Sequence, residues 1–117
     1  MPGPLAADQT AIKAATGGPP NPFTYSLAGE PANRTTKGGT VQIADSHNFK
    51  AATDIAAALV TVHPGGMREM HWHPNADEWQ YYVKGSAQMT GYTAGPRAVT
   101  NNFNAGDVGY VTRNSGH

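Results

Sequence analysis

The chain has 117 residues, one domain's worth, with 38% apolar and 14% charged residues, 14 Gly, 9 Pro and no Cys. Lys plus Arg number 8 and Asp plus Glu 8, so formal charge is zero, and nothing argues for nucleic acid or an anionic membrane surface as a partner. No apolar run suits a membrane span and no secretory signal is visible, so a cytoplasmic setting is expected; the lack of cysteine excludes disulfides and thiolate ligands.

Residues 1–39 hold Pro2, Pro4, Pro19, Pro20, Pro22 and Pro31 among many Gly, Ala and Thr, and read as an arm or linker. Ala6 to Ala15 has the composition of one short helix, stopped by Gly17-Gly18-Pro19-Pro20. Pro22 to Leu27 reads as a docking segment, with an untethered terminus as the plainer alternative. From residue 40 the pattern is of short strands separated by turns. The expected strands are Thr40 to Ala44, Ile55 to Val62, Met67 to His73, Glu78 to Val83, Ala87 to Tyr92, Ala98 to Phe103 and Val108 to Val111. Seven strands at roughly ten-residue spacing, with no helical period between them, predict a β-sandwich or small barrel rather than a parallel α/β sheet.

The chemistry concentrates between Gly65 and Trp79. His71 and His73 are two apart, which on a strand puts both imidazoles on one face. Glu78 follows after Pro74-Asn75-Ala76-Asp77, a turn-like segment, and opens the next strand with Gln80 and Tyr82 on its face. Two imidazoles and a carboxylate suit a first-row metal, and the carboxylate tilts the choice toward manganese or iron. His117 is a fourth candidate. The plainer reading is that His71 and His73 are ordinary strand histidines; the added glutamate and the flanking glycines favour the metal. Trp72 and Trp79 read as packing residues, and Tyr81, Tyr82 and Tyr92 as strand aromatics. Met67, Met70 and Met89 read as core gap-fillers, and His47 and His63 as exposed turn residues.

The spacing Gly65-x5-His71-x-His73-x4-Glu78-x6-Gly85 resembles the first cupin motif, and Gly106-x10-His117 the second. Met67 to Asn75, Glu78 to Tyr82 and Ala105 to Val111 are similar to the C-terminal cupin of bicupin oxalate decarboxylases, as are Pro22 to Tyr25 and Ile43 to Phe49. Residues 1–21 resemble the linker between the two cupins of that family, so the likeness covers about residues 22–117.

The resemblance implies an all-β fold: a cupin-type antiparallel β-barrel, jelly-roll-like, over residues 40–117 with an extended N-terminal arm over 1–39. It implies one divalent metal held by His71, His73, Glu78 and His117. Manganese is expected, with zinc, nickel, iron or cobalt as alternatives, and dioxygen is needed if the chain is active. Arg68 matches the arginine that pairs with bound oxalate, and a guanidinium fork suits a carboxylate. In a regular strand Arg68 and His71 would face opposite sides, so a bulge or bend between them is expected. The implied activity is splitting of oxalate into formate and carbon dioxide. A non-catalytic metal- or carboxylate-binding cupin module, and another cupin enzyme such as a dioxygenase or isomerase, stay open.

Three departures from the family bear on that activity. Thr112 stands where the family usually has proline, which should loosen the turn before His117. The chain ends on His117, short of the family's later strands, so His117 is expected to fray. An exposed edge left there is expected to drive a homodimer or higher oligomer. Nothing in residues 1–117 matches the family's lid carboxylate, the nearby acids being Glu69 and Asp77. Weak turnover or none is therefore expected of this chain alone.

Overall fold

A computed structural model describes residues 23–92 and 95–117. The expected helix at Ala6 to Ala15, and most of the arm, lie outside these residues. The described chain is all-β apart from one short 3-10 turn at Leu27–Gly29. It divides into two compact units, Met1–Arg68 and Glu69–His117.

In the first unit, β1 (Arg34–Thr36), β2 (Gly39–Ala44) and β3 (Ala57–Val62) form an antiparallel sheet in the order β1-β2-β3. Lys37 and Gly38 close the β1–β2 hairpin, with Thr36 opposite Gly39. Strands β2 and β3 stay in register from Gly39 opposite Val62 to Ala44 opposite Ala57. Their runs, GTVQIA and AALVTV, are rich in the β-branched residues that suit a pleated surface. Residues before β1 are tied to this sheet. The Gln42 amide donates to the Glu30 carbonyl at 2.7 Å, and the Ile43 N–H donates to Asn33 Oδ1 at 2.7 Å. So residues 30–36, read from sequence as arm, contribute a strand and two sheet anchors. Asp45 nucleates the turn after β2, accepting the His47 N–H on its side chain at 2.8 Å and the Phe49 N–H on its carbonyl at 2.7 Å. That turn stacks Phe49 on Tyr25 at 5.5 Å between ring centroids.

In the second unit, β4 (Glu78–Tyr81) pairs with β7 (Val108–Val111), and β5 (Ser86–Tyr92) pairs with β6 (Ala98–Asn104), all antiparallel. The β5–β6 ladder carries cross-strand hydrogen bonds between Thr90 and Thr100 and from Gln88 to Asn102, both 2.8 Å. A smaller contact, Tyr92 opposite Gly116, ties the segment after β7 to the end of β5. Phe103 and Val111 are buried, and Phe103 stacks on Tyr82 with centroids 4.4 Å apart and planes 7° from parallel.

Strand content and antiparallel pairing agree with the sequence expectation. Among the described residues the ladders form three separate sheets and are not closed into one barrel. The strand expected at Met67 to His73 is absent: residues 66–77 have no regular ladder. A strand needs consecutive pairing with a neighbour. Here only scattered backbone groups are paired, among them both groups of His71 and the His73 carbonyl. Met67, at 89% exposure, and Met70, at 67%, fill no core.

Candidate metal centre

The site lies within the second unit and is assembled by two irregular segments and one strand. His71 and His73 lie on the run before β4, Glu78 is the first residue of β4, and His117 follows the turn after β7. Irregular backbone can hold ligands in place only if it is tied down, and these two segments are tied to each other. His71 and His117 exchange both backbone hydrogen bonds, at 3.0 and 2.9 Å. The Asn114 N–H donates to the His73 carbonyl at 2.8 Å, with Asn114 in the left-handed region at φ 63°. Asp77 receives the Arg113 N–H on Oδ1 at 2.8 Å and the Tyr110 hydroxyl on Oδ2 at 2.7 Å. Local contacts hold both positions singled out in the sequence: the Thr112 hydroxyl bonds to that of the buried Ser115 at 2.8 Å and its carbonyl accepts the Ser115 N–H, and the His117 side chain is only 3% exposed.

One nitrogen or oxygen from each of His71, His73, Glu78 and His117 lies within 4.8 Å of the others. Glu78 Oε2 is the hub, 2.9 Å from His73 Nε2 and 3.2 Å from His117 Nε2. Nδ1 of His71 sits 3.0 Å from the Glu69 carbonyl, and Nδ1 of His117 sits 3.3 Å from the Ser115 carbonyl. A carbonyl that accepts a hydrogen bond from Nδ1–H leaves the lone pair of a neutral imidazole on Nε2. His117 then faces an acceptor on each side. A cation shared by all four residues would satisfy that arrangement at once. Burial pushes the Glu78 carboxyl up. The Gln80 hydrogen bond, the His117 charge and the His117 and His73 hydrogen bonds outweigh it, so the group sits below its usual value, ionised as a ligand must be.

Arg68 is exposed and is the last residue of the first unit. His47 and His63 stay outside the cluster; His47 bonds to Asp45, and His63 to the Lys37 carbonyl. Trp72 and Trp79 are 63% and 66% exposed, so neither packs in a core. Sequence reading missed the part played by Asp77, whose partners lie 33 and 36 residues away. Strand alternation puts Gln80 on the Glu78 face but does not encode the 2.6 Å bond from its amide to the Glu78 carboxylate.

The family model described as Cupin matches residues 26–117. Oxalate decarboxylase OxdC of Bacillus subtilis (strain 168) is 51% identical over 117 residues, all of this chain and 30% of the relative. A probable oxalate decarboxylase of Arthroderma benhamiae is 46% identical over 96 residues, 81% of this chain and 24% of the relative. A solved Bacillus subtilis oxalate decarboxylase, described for its Mn(II) centres, superposes with a TM-score of 0.78 at 50% identity, covering 99% of this chain and 30% of that one. The chain therefore spans less than a third of the length of these relatives.

Proposed function

We propose that this chain, which belongs to the cupin family, is a metal-binding cupin of the oxalate decarboxylase type. The observation that carries this reading is the convergence of three imidazoles and one carboxylate within 4.8 Å. His71, His73, Glu78 and His117 would hold one divalent ion, manganese in preference to zinc, nickel, iron or cobalt, because a carboxylate among imidazoles hardens the set and a relative is described for its Mn(II) centres. A bound ion would supply Lewis acidity toward a carboxylate oxygen. One ligand carboxylate leaves a divalent site with a net positive charge, which favours an anionic substrate. Arg68, three residues before His71, is the cation we assign to the far carboxylate of a small dianion such as oxalate.

Decarboxylation of oxalate breaks the carbon–carbon bond, releases carbon dioxide and needs a proton delivered to the remaining carbon to give formate. That delivery calls for a general acid and a site closed to water. Asp77 is unfit for it, since both oxygens already accept hydrogen bonds. Glu69 is exposed and offers the site its carbonyl, through His71. So residues 1–117 by themselves bind the metal and a carboxylate and turn over oxalate weakly or not at all, with dioxygen as co-reactant where turnover occurs. Self-association belongs to the same reading. Trp79 and Tyr81 of β4 stand opposite Tyr110 and Val108 of β7, so one face of that ribbon presents four exposed apolar or aromatic side chains. No described helix is long and apolar enough to cross a membrane.

The test is to load the chain with Mn2+, count metal per chain, and titrate oxalate into the loaded protein and its Arg68→Ala variant. One ion per chain, and oxalate binding weakened about tenfold or more by Arg68→Ala, the scale of a lost charge-assisted pair, support the reading. Unchanged oxalate binding in Arg68→Ala overturns the role given to Arg68.

A further inference from the structure

Glu78 has two oxygens, and only one of them faces the imidazoles. Oε2 contacts His73 and His117. Oε1 is taken by the Gln80 amide, Nε2 to Oε1 at 2.6 Å. Gln80 is in turn oriented by Tyr82, whose hydroxyl donates to Gln80 Oε1 at 2.8 Å. The chain of donors has one sense. An ionised carboxylate only accepts, so Gln80 must turn its NH2 toward Glu78 and its oxygen toward Tyr82; the flipped amide would set two acceptors against each other.

The packing around this relay keeps it in place. Tyr82 is held by its stack on the buried Phe103. Gly109 stands opposite Gln80 in the β4–β7 ladder. A Cβ at Gly109 would fall 2.8 Å from Gln80 Oε1 and 3.4 Å from the Phe103 ring. Gly109 is not among the glycines with positive φ, so its backbone does not demand glycine. A side chain there would instead push the Gln80 amide out of its place.

We infer that Gln80 is a positioning residue for the metal centre: backed by Tyr82 and given room by Gly109, it occupies Oε1 of Glu78 and reserves Oε2 for the cation shared with the three histidines. The inference rests on the proposed metal site and adds the device that aims its only carboxylate. Tyr82 acts on Glu78 through Gln80, so removing its hydroxyl matters only while the amide is present.

The test uses the full 117-residue chain with Mn2+ as probe, in the unsubstituted protein, Gln80→Met, Tyr82→Phe and the double variant. Tyr82→Phe keeps the ring and its stack and removes one hydroxyl, so it should fold even if Gln80→Met does not. Affinity is read by calorimetric titration, the Mn2+ environment by its EPR line shape, and metal-free folding by thermal melting. The expected result is a 10- to 100-fold weaker Mn2+ affinity in Gln80→Met, the usual range for a partner of a metal ligand. A smaller loss in Tyr82→Phe, an altered EPR line shape in both, and no further loss in the double variant complete the expected pattern. Wild-type affinity and line shape in Tyr82→Phe and Gln80→Met, with only the metal-free melting point lowered, would mean ordinary packing and would overturn the inference while leaving the metal site standing. Additive losses in the double variant would overturn the relay. No Mn2+ binding by the unsubstituted chain would remove the metal site and this inference together.

Discussion

Asp77 is bound by one carboxylate oxygen to Arg113 in the turn that leads to His117 and by the other to Tyr110 of β7, and it neighbours the ligand Glu78 in sequence. The Arg113 N–H and the Tyr110 hydroxyl hold its carboxyl below the usual 3.8, against desolvation and with the Arg113 charge assisting. A folded-state value below the unfolded one means stabilisation that is complete above the ordinary value and fades as pH falls through the depressed one. Asp77→Ala should therefore lower the urea midpoint of the metal-free chain by a constant amount from neutral pH down to near 3.8, and the gap should close only below that. The same variant should weaken Mn2+ binding by about tenfold, as loss of support around a ligand does; calorimetry at pH 7 checks this, and equal affinity would show that the turn holds His117 without it. Residue identity was legible where chemistry selects the type. The His71-x-His73 pair and Glu78 stand out because few side chains ligate hard cations. Asp77 was not legible, since an acid after Pro74-Asn75-Ala76 reads as turn composition, and its partners Tyr110 and Arg113 come from the far end of the chain.

The elements that carry the site are less regular than their sequence pattern. A strand is expected over Met67 to His73, yet backbone pairing there is reduced to the reciprocal bonds of His71 with His117 and the single bond from Asn114 to His73. Periodicity reports which residues suit an extended chain; a ladder also needs a neighbour in register, and that depends on segments some forty residues away. The opposite error occurs at Arg34–Thr36. Three exposed residues, two of them β-branched, are too short a run to read as a strand, and β2 recruits them through a two-residue turn. That hairpin leads directly into a glycine that cannot be replaced. Gly39 has φ 149°, and a Cβ there would land on the Thr61 carbonyl in the paired strand. Gly39→Ala should destabilise the first unit by about 1–3 kcal/mol or more, the scale of a strained residue. Urea unfolding followed by Tyr25 and Phe49 near-ultraviolet signals measures it, and a loss under about 0.5 kcal/mol, the level of an ordinary surface substitution, would show that β2 and β3 can shift apart.

At the scale of the whole molecule, the all-β class and its antiparallel pairing were legible from turn spacing and strand composition; the ladders of the described residues form three separate sheets rather than the expected closed barrel, because closure depends on pairings that single strands do not encode. The exposed Trp79, Tyr81, Val108 and Tyr110 face predicts self-association. Sedimentation velocity at tens of micromolar should show a dimer or larger species, and Trp79→Lys should shift it toward monomer; a clean monomer of the unsubstituted chain contradicts this. Formate production from oxalate should be at or near the detection limit, since general acid help is typically worth roughly 10²–10⁴ in rate and Asp77 and Glu69 do not supply it. Cation binding asks less of the chain than turnover: four residues from two tied segments and one strand would hold a single divalent cation. Metal analysis of the chain dialysed against Mn2+, beside His71→Ala and Glu78→Gln, tests it most directly. One Mn2+ per chain in the unsubstituted protein, lost in both variants, is the predicted result; no bound metal, or full occupancy retained in His71→Ala, would contradict it.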